Sequence, residues 1–266
     1  MILAQTLIAL AAAAGIFHLA TRRPAFMNAA RITALASILA LFTWLLLEGR
    51  SLHSCPLTDA WGVMAMTGII LIAISGWASF RFHFPGLLIG VLVLLSVAMI
   101  FGRLFFPAPG TSEIKLNLIL GFHILVTSIG FSVMALGCVS GILILVRSRM
   151  LKSASWSTRS NRGWPSLVVL DKLFIGSSEL GIILLCIGIL LGALTVPGVI
   201  LKGEWYLDPK VMLTAAGFGI YGWVFALRRK AGFFSWKIVA AATAGYIFVL
   251  LAFFLSSILG TGFHRF

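Results

Sequence analysis

The sequence is dominated by uninterrupted runs of apolar residues, each about as long as a membrane is thick. A helix needs about 20 such residues to cross the hydrocarbon core of a bilayer. We find eight of these runs, at 2–20, 31–48, 59–80, 86–103, 118–146, 174–200, 211–227 and 238–260. Only the connections 104–117 and 147–166 exceed a dozen residues. We therefore predict an all-α integral membrane protein, a bundle of about eight transmembrane helices in which 1–266 form a single polytopic domain.

The composition excludes the main soluble alternatives. The chain is 61% hydrophobic and 10% charged, and a soluble domain of that composition would lack the polar residues that cover its surface. Its net charge of +13 does not indicate nucleic-acid binding, because the basic residues stand in short loops between apolar runs. The first run has no basic segment before it, so we expect a retained span and no cleaved signal peptide. The three cysteines form no CxxC pair and match no zinc spacing.

The basic residues orient the predicted bundle. The connections after spans 1, 3, 5 and 7 carry fourteen Lys and Arg residues, and the opposite side carries six. Positive charge concentrates on the cytoplasmic side of membrane proteins. The sequence therefore predicts that both termini face outward, which places the start of span 5 and the C-terminus at the outer surface.

Two histidines are predicted at that outer surface, on different helices. His123 lies about one and a half turns into span 5, and His264 follows the last span. A polar ring at the membrane edge needs a partner. Either each imidazole bonds a carbonyl or a lipid headgroup, or the two face one another as axial ligands of haem iron. We expect His18 and His83 to be interfacial residues at the cytoplasmic side, while His53 lies in an outer loop.

The outer connection between spans 6 and 7 contains the stretch GEWYLDPK. Trp205 suits either the aromatic belt of a membrane protein or one face of a flat apolar macrocycle. Lys210 and Arg265 suit the anionic propionates of such a macrocycle. Asp208 and Pro209 also suit a plain helix start, with an N-cap and a proline at the first helical position.

Several stretches together resemble one family. They are HILVTSIGFSVMALGCVSGILILV, LDKLFIGSSELGIILLCIGILLGALT, DPK followed by IYGWVFALR, and the closing LGTGFHRF. The chain resembles the cytochrome c assembly family of CcsA, CcmC and HemX-type haem-handling membrane proteins, most closely over 118–266. The resemblance implies that His123 and His264 are the two outer histidines that ligate haem. It also places Trp205 and Asp208 at the last positions of the family's tryptophan-rich loop.

The chain departs from the family pattern at two places. Its outer loop retains only Trp205, with Leu207 where another tryptophan is expected. Ala226 stands where full CcsA proteins carry a cytoplasmic histidine linked to haem passage across the membrane. The resemblance therefore implies an outer haem site more strongly than a transmembrane haem channel. The length favours the short HemX-like branch.

The resemblance implies a haem-binding component of cytochrome c biogenesis in the bacterial plasma membrane. It would hold haem b between His123 and His264 for delivery to apocytochrome c, beside a ResB/CcsB-like membrane partner. Nothing in the chain looks like a nucleophile or general base, so at most it forms part of a haem-attachment (synthetase) complex. The alternative is a HemX-like regulator of tetrapyrrole synthesis that acts through the basic segment 147–166. A transporter is disfavoured, because the sequence shows no broken-helix pair in matching halves.

Overall fold

The computed structural model describes residues 1–52, 56–105, 118–152, 164–195, 209–231 and 236–259. These residues form eight long α-helices and one short 3₁₀ turn, Pro56–Thr58. The helices are α1 (Ile2–Thr21), α2 (Pro24–Leu52), α3 (Ala60–Arg81), α4 (Gly86–Phe105), α5 (Leu118–Lys152), α6 (Leu167–Thr195), α7 (Pro209–Ala231) and α8 (Trp236–Leu259). All eight are long and apolar enough to cross a membrane, which confirms the predicted all-α membrane fold.

Local sequence explains where several helices begin and end. Arg22 takes a left-handed conformation (φ 56°) after α1, and its N–H donates to the His18 carbonyl at 2.7 Å. This is the usual way in which a helix C-terminus satisfies a carbonyl. Pro24 and Pro209 open α2 and α7, where a missing N–H costs nothing. The prediction of a helix start at Pro209 is confirmed, while Asp208 lies outside the described residues.

One predicted bound in each of three helices was wrong by six or seven residues. α2 begins at Pro24, before the predicted 31; α5 continues to Lys152, beyond 146; and α6 begins at Leu167, before the predicted 174. The apolar run marks the part of a helix inside the hydrocarbon core, whereas the backbone keeps its hydrogen bonds beyond that core. Arg147 and Lys172, counted as loop residues, are therefore helical.

The described part of α6 ends at Thr195, and α7 begins at Pro209. Residues 196–208 lie outside the described residues; they include the last five residues of the predicted span 6 and most of the stretch GEWYLDPK. The prediction that only the connections 104–117 and 147–166 exceed a dozen residues therefore stays a prediction.

The centre of the bundle is α5, which packs against α3, α4, α6 and α8. One buried apolar cluster joins α5 to α3, α4, α6, α7 and α8, and a second joins α1 to α2, α3, α4 and the end of α8. α5 and α8 are antiparallel, because Val239 packs on Gly141 while Phe131 contacts Phe253. We call the end of the bundle at which α5 starts the His123 end, and the opposite end the Arg147 end.

Candidate functional site

Glycines hold α5 and α6 close together. Gly130, Gly137 and Gly141 on α5 repeat the spacing of Gly181, Gly188 and Gly192 on α6, seven and then four residues. Small residues of this kind let membrane helices approach closely. Each glycine lies opposite a side chain of the other helix, in one antiparallel register: Gly130 with Leu185, Gly137 with Ser178, Gly141 with Phe174, Gly181 with Met134, Gly188 with Thr127 and Gly192 with His123.

The imidazole of His123 occupies the last of these positions. Its Nδ1 lies 2.6 Å from the carbonyl oxygen of Gly188. A side chain at Gly192 would collide with the ring, because a Cβ there would lie 2.8 Å from Cε1 and 2.9 Å from Nδ1. The ring is half-buried at the edge of the bundle. Two residues of α6, Gly188 and Gly192, thus determine where the ring lies.

Thr127 fixes the backbone that carries the histidine. Its Oγ1 donates to the His123 carbonyl at 2.7 Å and lies 3.0 Å from the Ile124 carbonyl. Its methyl group packs against Gly188, where a Cβ would approach within 2.3 Å. The first turns of α5 are therefore held against α6 on both sides of the ring.

The bond to Gly188 determines the tautomer of His123. A carbonyl oxygen only accepts hydrogen bonds, so Nδ1 carries the hydrogen and the lone pair of the neutral ring lies on Nε2. Histidines that bind metals commonly donate their other N–H to a carbonyl in this way. The carbonyl-bonded state that the sequence left open is observed, and it is compatible with a ligand role for Nε2. Within the described part of the chain, no three His, Cys, Asp or Glu residues group into a metal cage.

The end of α8 reaches the level of His123. Phe131 and Phe253 are in contact, with ring centroids 6.1 Å apart. His123 lies about 12 Å from Phe131 along α5, and Leu259 about 9 Å from Phe253 along α8, at 1.5 Å per residue. His264 follows Leu259 by five residues and lies outside the described residues.

Of the other predicted site residues, only Lys210 belongs to a described helix. Trp205, Asp208 and Arg265 lie outside the described residues. Lys210 is the second residue of α7, and its side chain is not described. Because α6 ends beside His123 and α7 starts at Pro209, the connection 196–208 leaves and returns at the His123 end.

The other described histidines and cysteines are His18, His83, Cys138 and Cys186. His18 Nδ1 donates to the Arg23 carbonyl at 3.0 Å, and exposed His83 sits in a turn with φ 52°, as expected for interfacial residues. His53 lies outside the described residues. Cys138 is buried and Cys186 exposed, both as free thiols.

One carboxylate at the His123 end has an unusual acidity. Partial burial of Asp59, before α3, raises its pKa from 3.8 to about 6, and the nearby charge of Glu48 acts in the same direction. A folded-state pKa above the ordinary value means that charging Asp59 costs stability. The cost is absent below pH 4, grows as the pH rises towards 6, and then stays constant.

The Arg147 end carries an ion pair that sequence patterns did not reveal. Arg228 near the end of α7 binds Asp171 near the start of α6 through two hydrogen bonds, one of 2.8 Å from Nη1 to Oδ1. Both side chains are about a quarter exposed. Asp171 could have indicated an ion pair in the sequence, because it is an isolated acidic residue among basic ones. The pair ties together two helices that otherwise pack mainly on α5 and α8.

Comparison with known families covers almost the whole chain. The family model described as cytochrome C assembly protein matches residues 2–264. The chain belongs to the cytochrome c assembly protein family. Neither the curated proteins nor the solved structures returned a match. The family assignment, which the sequence resemblance predicted, is confirmed, and the matched region includes both His123 and His264.

Membership in this family supports a role in cytochrome c biogenesis and implies that haem and apocytochrome c are involved. Together with the eight apolar helices, it establishes a multi-pass membrane protein. The prediction of such a protein is confirmed.

Proposed function

We propose that this cytochrome c assembly protein holds haem b at the outer membrane face, between His123 and His264, for delivery to apocytochrome c. The observation that supports the proposal best is the 2.6 Å hydrogen bond from His123 Nδ1 to the Gly188 carbonyl. That bond orients the ring and makes Nε2 the atom that binds iron. A histidine with the opposite tautomer would present an N–H there and bind no metal.

The second ligand in this proposal is His264. The described part of α8 ends at Leu259, at the level of His123. Gly260 and Gly262 follow, and glycine allows a chain to leave a helix by conformations that other residues avoid. The last residues then bring the second imidazole towards α5. Arg265, next in the chain, pairs with a propionate.

The connection 196–208 completes the proposed site. In this proposal Trp205 would lie along one face of the macrocycle, Lys210 would meet a propionate, and Asp208 would cap α7. When bound, haem supplies the vinyl groups across which cysteine S–H groups of apocytochrome c add to form thioethers. The chain's own residues bind and orient the haem, and the proposal assigns no proton transfer to them.

The proposed setting is a bacterial plasma membrane with both termini outside. Fourteen against six basic residues support this orientation, in which the Arg147 end faces the cytoplasm. We further propose a ResB/CcsB-like membrane partner and membership in the short HemX-like branch. An alkaline phosphatase fused after residue 266 is expected to be active, and one inserted within 153–163 inactive. The reverse pattern would place the histidines in the cytoplasm and exclude the outer haem site.

The direct test is the absorption spectrum of the purified protein after expression with adequate haem supply. We expect the spectrum of a b-type haem with two nitrogen ligands. His53→Ala, from a different outer loop, serves as the control and is expected to leave the spectrum unchanged. A wild-type protein that carries no haem, even when haem is added to it, would contradict the proposal and favour the HemX-like regulator.

A further inference from the structure

At the Arg147 end, a charged side chain is buried without a sufficient set of partners. Arg147 lies on α5, five residues before the helix ends, and is 8% exposed. Its Nε and Nη1 atoms have no hydrogen-bond partner within the described part of the chain. Arginine remains charged in proteins, and a buried charge requires a counter-charge or hydrogen-bond acceptors. The guanidinium of Arg147 therefore lacks hydrogen-bond acceptors for these two nitrogen atoms.

Aromatic rings line the position of the guanidinium. Its Cζ lies 5.9 Å from the ring centroid of Trp164, and Trp164 packs against Phe84 with centroids 5.0 Å apart. The N–H of Phe84 donates to the Ser79 carbonyl at 3.0 Å. Ser79 Oγ is itself buried and without a partner among the described residues. Arg147 thus lies beside a pair of packed aromatic rings, and its guanidinium has unused hydrogen-bonding capacity.

No carboxylate in the described part of the chain pairs with Arg147. The structure describes four of the seven acidic residues, and two of these four lie at the His123 end: Glu48 near the end of α2, and Asp59 just before α3. Asp171 is engaged by Arg228 in a bidentate pair. Glu179 is exposed on α6. By the register of α5 and α6, it lies at the level of Leu136, about 16 Å from Arg147 along the axis, at 1.5 Å per residue.

Arg147 lies near the end of the bundle at which the neighbouring helices turn. On the neighbouring helices, α3 ends at Arg81 and α4 begins at Gly86, and Phe84 of the turn between them contacts Trp164. Arg149 and Lys152, on the last turn of α5, are exposed and add positive potential. Basic residues near the ends of transmembrane helices meet the phosphates of membrane lipids.

We propose that Arg147, on the platform formed by Trp164 and Phe84, is a binding site for a phosphate group. The planar guanidinium of arginine donates two parallel hydrogen bonds to such an anion. The phosphate comes either from the headgroup of a phospholipid at this face of the membrane or from free inorganic phosphate. This site is separate from the proposed haem site, because the two lie at opposite ends of α5.

The test compares two arginines of the same helix. Arg147→Met keeps most of the apolar stem and removes the buried charge, and Arg149→Met removes an exposed charge two residues away. Thermal unfolding of the detergent-purified protein is measured with phosphatidylglycerol, with diacylglycerol of the same acyl chains, and with inorganic phosphate. Native mass spectrometry of the same samples reports retained lipid.

Phosphatidylglycerol is expected to raise the unfolding temperature of the wild type and of Arg149→Met by several degrees, whereas diacylglycerol has little effect. Arg147→Met should lose that increase and retain at least tenfold less lipid. Arg147→Lys, which keeps the charge without the planar fork, should show an intermediate response if the methionine variant does not fold. An equal response to inorganic phosphate would identify the free anion as the ligand.

Two results would overturn the proposal. One is a wild-type protein that neither phosphate compound stabilises. The other is an equal loss of the response in Arg147→Met and Arg149→Met, because that would show attraction to a basic surface without a specific site.

Discussion

The two ends of α5 each carry a basic side chain with limited access to solvent, and the two side chains differ in how their hydrogen-bond donors are satisfied. His123 and Arg147 are both basic side chains near the ends of one helix, and both are at least half-buried against neighbouring segments. His123 donates to a carbonyl of α6 at 2.6 Å, whereas two nitrogens of Arg147 have no partner among the described residues. A ring whose N–H is satisfied is oriented before any ligand arrives, while an unsatisfied buried cation depends on an external anion for its stability.

The contrast also concerns how each end is packed. At the His123 end, glycines of α6 let the backbone approach the ring, so the contact is between a side chain and a neighbouring helix. At the Arg147 end, the contact is between a cation and aromatic rings. The first arrangement positions one atom, Nε2, and suits a metal ligand. The second leaves N–H donors of the Arg147 guanidinium unused and suits an oxyanion.

The largest effect is expected from removing the histidines. His123→Ala and His264→Ala should each lower haem affinity by at least about ten- to a hundredfold. Loss of a residue that only supports a metal ligand already costs about that much. The double variant should lose little beyond the worse single one, because both residues act on one bound species. Haem occupancy by absorption spectroscopy measures this, and added imidazole should partly restore binding. Full occupancy with an unchanged spectrum in both single variants would remove these residues from the site.

A smaller effect is expected from filling the space under the ring. Gly192→Ala brings a methyl group within 3 Å of the imidazole and should displace it, with a loss of haem affinity of about tenfold. Gly176→Ala on the same helix is the matched control, because nothing lies within 4 Å of its added Cβ. If both variants bind haem like the wild type, the position of the His123 ring beside Gly192 does not affect haem binding.

The contribution of Trp205 is expected to be smaller again. An aromatic contact is worth about 0.5–1.5 kcal/mol beyond the burial of its area, so Trp205→Ala should weaken haem retention about two- to tenfold. Trp205→Phe keeps a flat ring and should largely preserve it. Equal haem retention in all three proteins would leave Trp205 as a residue of the interfacial aromatic belt.

The smallest effect is expected from the ion pair at the Arg147 end. Asp171→Asn removes the charge that Arg228 binds, and a partly exposed pair contributes about 0.5–1 kcal/mol to stability. We expect a correspondingly small decrease in the free energy of unfolding and no change in haem binding. Glu179→Gln, an exposed acid on the same helix, should leave both unchanged. Loss of haem in Asp171→Asn would show that the two ends of the bundle are coupled.

The apolar runs of the sequence were sufficient to predict eight spans and the end of the bundle at which each span begins. Apolar runs must match the thickness of the bilayer, and helices that cross it in succession must alternate in direction. His123, the connection 196–208 and the end of α8 therefore belong to one end, as predicted. The family assignment followed from short stretches, and the match over residues 2–264 confirmed it. The ligand role of the two histidines stays a prediction.

Which side chains meet became apparent from the packing of the helices. His123 and Gly188 are 65 residues apart, as Phe84 and Trp164 are distant along the chain, and hydropathy carries no information on rotation about a helix axis. The register of α5 and α6 follows from glycines that interlock with side chains of the other helix. The extension of helices beyond the hydrocarbon core was a second feature that hydropathy did not predict. The apolar run ends before Arg147, but the backbone hydrogen bonds continue and carry that arginine into a buried position.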